Sequence, residues 1–419
     1  MDEIYSEADL TLVAGAGADA NYGLPGVGKR ERRSQGKTNV GSITLLQIFP
    51  HTSFTIHSSV WASRGWTYQE GVLSRRRLIF TDDQVSFLCN FMHCSETLNM
   101  PPEPQNTMGR ETQFVGILPR TVNIGKKELW GEYREMKGHI MEFSKRRLSY
   151  NSDALNAILG IFHSLRSFNG NGLNHLWGMP IKFSPSSSDL VIPLHWYHNK
   201  PAIRREDFPG WSWTGWDGSV CMTDPDMHVL SECQIEVSIE PEARLSLVRY
   251  MDLVSSSPNR IPATPPRELL VTAKTVNVVL RLKTWGKLND SFSQETQKGS
   301  VGFRDGYHAT LPMTKSISAF VYAYLDQETL PKTEILGLIL GEATSQTGVR
   351  ILLLEQNGDD YRRIGILRYR HGRGTEAGGD RIPHIVFVDG EENVLDDVGS
   401  IDECPLWLRR AEMRKVALV

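Results

Sequence analysis

Residues 59–81 contain the side chains of this chain that are best suited to carry out chemistry. The segment reads SVWASRGWTYQEGVLSRRRLIFT and combines aromatic rings with four arginines and a single carboxylate, Glu70. A carboxylate placed among cations and rings can serve as a general acid or base when its surroundings shift its pKa. The competing interpretation is an ion pair between Glu70 and Arg64 or Arg75–Arg77, which is the commoner fate of charges grouped on a helix.

Two glycine-rich motifs near the N-terminus suggest nucleotide binding but lack the context that it needs. Gly15, Gly17 and Ala20 match G-x-G-x-x-A after an apolar run, yet Gly23 and Pro25 follow too soon for the helix of a dinucleotide site. The segment 23–29 spells G-x-x-x-x-G-K, but Arg30 stands where a phosphate-binding loop has Ser or Thr. We therefore expect an exposed loop here and no cofactor.

Possible metal ligands are scattered along the chain. Cys89, His93 and Cys94 lie close together in sequence, and His195 and His198 form an H-x-x-H pair. A closed zinc site usually takes paired ligands from two places, such as two C-x-x-C units, which this chain lacks. The sequence therefore predicts no metal site, and none of its serines lies in a nucleophile elbow.

The composition is that of a globular protein from a reducing compartment. The net charge is −3, which gives no sign of nucleic-acid binding, and no apolar stretch is long enough to span a membrane. The five cysteines are odd in number and dispersed, and the acidic N-terminus lacks the pattern of a secretory signal. These features favour a cytoplasmic location.

The pattern of apolar residues predicts mixed secondary structure. We expect a buried strand over 10–14, one helix capped by Ser58 or Ser59, and a hairpin around Asp82 and Asp83. Apolar spacing predicts helices over 129–143 and 149–165, separated from the hairpin by a polar linker at 100–127. Beyond residue 230 the chain alternates in the manner of strands, with a hairpin at Asn357–Gly358.

The tryptophans of FPGWSWTGWDG allow two interpretations. Trp211, Trp213 and Trp216 could stack on sugars or bases if they are exposed. The alternation Trp-Ser-Trp is also typical of a strand that buries its large rings on one face, and we favour this second interpretation.

Six segments, taken in order, resemble fungal heterokaryon-incompatibility (HET) domain proteins. The resemblance covers roughly residues 1–218 and rests on IYSEADLTLVAGAGADANYGLPG, the 59–81 segment, YNSDALNAILGIF, LWGMPI, LHW and FPGWSWTGWDG. The residues of the 59–81 segment that carry it, mostly with an expected structural role, are Trp61, Arg64, Gly65, Trp66, Thr67, Gln69, Glu70 and Arg75. Trp211, Trp213 and Trp216 belong to the same set.

The resemblance implies a role in fungal allorecognition and programmed cell death, acting through a protein partner or self-association. A proposed likeness of HET domains to TIR domains also implies a weaker alternative, the hydrolysis of a nicotinamide dinucleotide, with Glu70 as the candidate. A third alternative is a non-enzymatic module that binds peptide or glycan in an aromatic groove. The residues themselves do not establish catalysis.

The chain also departs from the family pattern at its N-terminus. HET domains normally open with strands that lead to Trp-Gly and Cys-Ile-Asn-Gln motifs, and neither precedes MDEIYSEADL. We therefore expect an α+β protein with an incomplete, truncated or inactive HET domain. Its expected parts are the C-terminal part of that domain at 1–100, a helical segment with a tryptophan-rich strand at 101–229, and a β-rich domain at 230–419.

Overall fold

A computed structural model provides the structure of the chain. It describes residues 1–89, 93–97, 131–169, 173–183, 190–191, 194–222, 233–239, 243–256, 264–284, 305–328, 332–340, 349–369, 385–393, 395 and 405–419. The predicted linker at 100–127 and the predicted boundaries near 100 and 230 lie outside these residues. The chain divides into two compact units, Met1–Asn171 and Gly172–Val419.

The first unit contains both helices and strands, and strands dominate the second. The helices are α1 Asp2–Glu7, α2 Thr52–His57, α3 Val60–Ser63, α4 Trp66–Leu73, α5 Gly131–Phe143, α6 Asp153–Asn169, α7 Leu247–Ser256 and α8 Leu406–Arg409. The strands of the first unit are β1 Thr11–Ala14, β2 Lys37–Val40, β3 Ile43–Leu46, β4 Arg76–Phe80, β5 Val85–Cys89 and β6 His93–Ser95.

The second unit contains the remaining strands. They are β7 Leu173–Leu176, β8 Met179–Phe183, β9 Leu190–Val191, β10 Tyr197–His198, β11 Ile203–Arg204, β12 Trp216–Asp217, β13 Val220–Cys221, β14 Gln234–Ser238, β15 Arg244–Ser246, β16 Leu269–Lys283, β17 Gly306–Pro312, β18 Ser318–Leu325, β19 Glu334–Ile339, β20 Val349–Asn357, β21 Asp360–Tyr369, β22 Ile385–Val388 and β23 Glu412–Leu418.

A four-stranded sheet in the order β1-β4-β5-β6 forms the base of the first unit. β1 pairs parallel with β4, and the predicted hairpin is confirmed as the antiparallel pair β4–β5. Val13 and Ile79 on one face of the sheet pack against Ile56 and Trp61 of α2 and α3. The prediction of a buried first strand is correct only for this face, since Leu12 on the other face is 54% exposed.

The predicted helix that starts at Ser59 is in fact two helices. The Ser59 hydroxyl accepts a hydrogen bond from the Ala62 amide and caps α3 as expected. The chain then leaves helical geometry at Arg64, and α4 begins after Gly65. The break has a physical reason, because the backbone at this point pairs with residue 147: Arg147 N donates to Ser63 O and Gly65 N donates to Arg147 O.

The second unit is built around a closed barrel of six antiparallel strands. The order is β16-β17-β18-β21-β20-β19, and β19 returns to pair with β16. Inward-facing residues such as Leu280, Leu311, Ile351 and Leu367 fill its interior and are fully buried. The predicted hairpin connects β20 to β21, with the turn at residues 358–359 because Asn357 pairs with Asp360, and Gly358 adopts the positive φ of 66° that the turn requires.

These observations confirm a mixed α+β protein. The two predicted helices are present as α5 and α6, and Tyr133, Met136, Ile140 and Phe143 are buried as their spacing predicts. The division into compact units falls at residue 171, whereas the sequence pattern placed boundaries at 100 and 230; those boundaries stay predictions.

Candidate functional site

Helix α4, which carries most of the 59–81 segment, is the point where the first unit is held together. Its entry depends on close packing at Gly65, where a Cβ would lie 2.3 Å from Leu148 Cδ2 and 3.3 Å from Arg147 O. The Thr67 hydroxyl donates to Arg64 O at 2.8 Å and also to Trp61 O, which joins the start of α4 to the end of α3. Gly65 and Thr67 therefore lie in the packed junction between α3 and α4.

Two further residues of α4 bind helix α6. Trp66 Nε1 donates to Asp153 Oδ2 at 2.9 Å, at the first residue of α6. Gln69 is 1% exposed, and its Nε2 donates to Asn156 O at 2.9 Å. Together these bonds fix α4 against the first turn of α6.

Tyr68 attaches the same helix to α5. It is fully buried, and its hydroxyl oxygen lies 3.1 Å from His139 Nδ1. The guanidinium carbon of Arg146 lies 4.5 Å from the centre of the tyrosine ring, a cation–π contact. Burial lowers the pKa of His139 to about 4, so the imidazole is neutral at pH 7.

Glu70 differs from these neighbours because its carboxylate is only half-buried. Trp61 Nε1 donates to Glu70 Oε1 at 3.1 Å. Burial raises the pKa of Glu70, while the Trp61 hydrogen bond and the positive charge of Arg64 act in the opposite direction. Burial and the nearby Glu70 charge raise the pKa of Tyr5, which places the tyrosine in the same surroundings. The site is therefore a carboxyl group with aromatic neighbours and one cation nearby.

The structure brings together most, but not all, of the predicted site residues. Trp61, Arg64, Thr67 and Glu70 lie at one junction, whereas Arg75 is exposed after the end of α4. No ion pair of 4.0 Å or less between Glu70 and Arg64 or Arg75–Arg77 occurs in the described structure. The buried member of the arginine run is Arg77, whose guanidinium donates to Gly71 O.

Sequence reasoning missed two residues that complete this junction. Tyr5 is half-buried on α1, and no residue spacing pointed to its proximity to Glu70. Gly160 of α6 lies opposite α4, where a Cβ would be 2.2 Å from Gln69 Oε1 and 2.5 Å from Asp2 Cβ. The glycine in ILGIF was a signal that could have been read, since a glycine inside a helix often marks close packing.

Gly160→Ala should destabilise the protein, although alanine is the better helix former. The free energy of unfolding should fall by about 1–3 kcal/mol, because the added methyl group displaces Gln69 and Asp2. The matched control is Gly138→Ala in α5, where a Cβ meets no atom within 4 Å. That variant should be more stable by about 0.5–1 kcal/mol through helix propensity. Denaturant unfolding of both variants tests the contrast, and equal effects of one sign would contradict it.

The protein should lose stability in acid because of His139. Its pKa is about 4 in the folded chain and near 6.5 when unfolded, so the unfolded state binds the proton more readily. The stability is therefore complete above pH 6.5 and is lost as the pH falls toward 4, by about 3 kcal/mol for this residue. Unfolding of the wild type and of His139→Gln between pH 7 and 4 measures the effect. Parallel pH profiles for the two proteins would exclude His139 as its source.

Trp211, Trp213 and Trp216 are buried, but they do not form the predicted strand. Trp213–Gly215 is a 3-10 helix, and only Trp216 enters a short strand. Ser212 favours this geometry, because its side chain accepts a hydrogen bond from the Thr214 amide and caps the turn. Trp211, Trp213 and Trp216 are 0%, 1% and 2% exposed, so these three rings are closed to ligands in the folded chain.

Each of these indoles also donates a hydrogen bond to a main-chain carbonyl. The acceptors are Arg267 O for Trp211, Gly178 O for Trp213 and Gly210 O for Trp216, at 2.7–2.8 Å. Three segments of the predicted resemblance meet here, since Trp196 of LHW donates to Trp211 O and Gly178 belongs to LWGMPI. The cluster links segments that are distant in sequence.

Nothing in the described residues forms a group of three or more His, Cys, Asp or Glu side chains that could hold a metal ion. His93 lies beside His51, with ring centroids 4.9 Å apart, and burial lowers its pKa to about 4. His198 is in the second unit, where its Nδ1 lies 2.9 Å from Ser219 O. In the described part of the chain, no helix is both long and apolar enough to cross a membrane.

Comparison with protein families finds a similarity at the start of the chain. Residues 1–70 match the model of the heterokaryon incompatibility protein (HET) family. The match spans 70 of the 419 residues and is consistent with a HET domain protein, which confirms the predicted resemblance over this part. It ends at Glu70. No curated protein and no solved structure matches the chain.

Proposed function

We propose that the chain acts in fungal allorecognition, as a HET-family protein that promotes cell death when genetically unlike hyphae fuse. The match of residues 1–70 supports the family in general. The observation that carries the assignment of a site is the contrast within α4. Gln69 and Tyr68 are buried and bonded inside the unit, whereas the carboxylate of Glu70 remains half-exposed.

A substitution of Glu70 can therefore test function without unfolding the protein. Its side chain accepts one hydrogen bond, from Trp61, and glutamine can accept the same bond. Glu70→Gln removes the negative charge and the titration while keeping the shape of the side chain. Because the side chain is half-buried and keeps its hydrogen bond, the substitution should change stability by less than about 1 kcal/mol.

Inducible expression in a filamentous fungus tests the proposal. The wild-type chain should arrest colony growth, and Glu70→Gln should relieve the arrest at an equal protein level. Glu412→Gln, at a side chain that is 73% exposed in the second unit, is the matched control and should remain toxic. Normal growth with the folded wild-type chain would contradict the proposal. Arrest by Glu70→Gln equal to that of the wild type would exclude Glu70 as the site.

A second candidate function is hydrolysis of a nicotinamide dinucleotide. It is favoured by the position of Glu70 next to the rings of Trp61 and Tyr5, where burial raises the pKa of a carboxyl group that could act as a general acid or base. Incubation of the purified chain with oxidised NAD should release nicotinamide, and Glu70→Gln should abolish the release. Growth arrest without release of nicotinamide would favour a mechanism that depends on binding a protein partner or on self-association.

A further inference from the structure

We propose that the β2–β3 hairpin is a self-association surface, on which β3 of one copy pairs antiparallel with β3 of a second copy. The hairpin belongs to the first unit and forms a sheet of its own, since among the described residues each of its strands pairs only with the other. All eight of its strand residues are exposed. An isolated two-stranded hairpin is marginally stable in water, so a further strand would stabilise it.

The register defines one apolar face of the hairpin. Val40 pairs with Ile43 and Thr38 with Leu45, and these four side chains point to the same side of the ribbon. Val40, Ile43 and Leu45 are 61%, 63% and 51% exposed. Three large apolar side chains thus lie next to one another in solvent, a pattern that is typical of an interaction surface.

The open edge of β3 presents main-chain groups to solvent. Gly41 and Ser42 form a two-residue turn, so the flanking pair Val40–Ile43 is hydrogen-bonded across the hairpin. Because the pairing alternates, Thr44 and Leu46 direct their N–H and C=O groups outward. An edge of this kind is completed by another strand.

The chemistry of β3 favours a second copy as the partner. Its sequence Ile-Thr-Leu-Leu contains no charge and no proline, the two features that usually protect an edge strand from pairing. In an antiparallel β3–β3 pair centred on Leu45, Thr44 of each copy lies opposite Leu46 of the other, and the two Leu45 side chains lie opposite each other. Every cross-strand pair is then free of charge repulsion.

The size of the surface indicates a weak dimer. A fully exposed aliphatic side chain offers on the order of 100 Å², so partial cover of Ile43 and Leu45 by the partner strand contributes roughly 100 Å² per copy. This is well below the roughly 800 Å² per partner of a stable complex. We therefore expect dissociation constants of about 10–100 µM, with main-chain hydrogen bonds supplying much of the affinity.

This inference is independent of the role proposed for Glu70, and its test uses the full chain. Sedimentation velocity from about 1 to 200 µM should show the wild type moving from one copy to two. Thr44→Pro removes one outward N–H group, and Leu46→Lys places a charge on the edge; both variants should remain single copies. Leu282→Lys, at another exposed leucine, is the matched control and should associate like the wild type.

Three results would overturn the inference. One is a wild type that stays a single copy across the concentration range. Another is unchanged association of both edge variants, with circular dichroism showing that they are folded. The third is a wild type that remains a single copy but binds neutral phosphatidylcholine vesicles and loses this binding in Leu46→Lys, which would assign the surface to lipid.

Discussion

Arg363→Met should lower the free energy of unfolding by about 3–5 kcal/mol. Arg363 and Asp326 form an ion pair in which both side chains are fully buried, with Nε 2.8 Å from Oδ2. Removing the cation leaves the Asp326 carboxylate in the interior without this partner. Burial lowers the pKa of Arg363, while the Asp326 charge supports its protonated form.

The guanidinium also connects the barrel to the tryptophan cluster. Arg363 of β21 donates to Leu194 O at 2.8 Å and to Trp196 O, and it lies 3.4 Å from the centre of the Trp196 ring. These bonds satisfy buried carbonyls that have no water to replace the donor. Loss of Arg363 should therefore loosen residues 194–222 as well as the barrel strand.

Denaturant unfolding of three variants separates the effect of losing the ion pair from the effect of leaving one charge buried. Arg249→Met is the control, because both side chains of its ion pair with Asp252 are exposed, and it should cost no more than about 1 kcal/mol. The double variant Arg363→Met with Asp326→Leu should recover part of the lost stability, since it also removes the buried carboxylate that Arg363→Met leaves without its cation. A loss below about 1 kcal/mol for Arg363→Met would show that the pair does not stabilise the fold.

Trp213→Ala should destabilise the second unit by about 3–5 kcal/mol. The ring is 1% exposed, and its Nε1 donates to Gly178 O at 2.8 Å. Gly178 has a φ of 84° and follows Trp177, whose φ of 52° is uncommon for a residue with a side chain. The indole therefore holds a strained turn in place, as do the Ser212 and Thr214 hydroxyls that donate to Trp177 O.

Trp213→Phe and an exposed control complete this experiment. Phenylalanine keeps much of the buried ring but cannot donate to Gly178 O, so its cost should be about 1–3 kcal/mol. Tyr150→Ala, at a ring that is 71% exposed, should change stability by no more than about 0.5 kcal/mol. A stable Trp213→Ala that loses peptide or glycan binding would instead support the aromatic-groove alternative.

The sequence predicted local structure better than contacts between distant segments. Apolar spacing was sufficient to predict α5 and α6, and the turn residues at 82–83 and 357–358 predicted both hairpins. Periodicity could not predict the break at Arg64, because its cause is backbone pairing with Arg147, which is distant in sequence. Closure of the barrel by β16 and β19 depends on long-range pairing in the same way.

The same limit applied to the site. Residue types drew attention to Glu70, and its grouping with arginines favoured an ion pair. The hydrogen-bond donor to its carboxylate is instead the Trp61 indole, at 3.1 Å. Sequence alone could not reveal the indole's direction, because it depends on how α3 and α4 meet at Gly65. The tryptophan turn was misread as a strand for a similar reason, since capping by Ser212 overrides the alternating pattern.

We conclude that helix α4 stabilises the first unit through its buried residues, whereas the carboxylate of Glu70 contributes little to that stability. One measurement tests it directly: the free energy of unfolding of Gln69→Ala and Glu70→Gln, side by side in the full chain. Gln69→Ala should lose at least about 2 kcal/mol, because it empties a buried site and removes the bond to Asn156 O. Glu70→Gln should lose less than about 1 kcal/mol. The reverse order would contradict the claim.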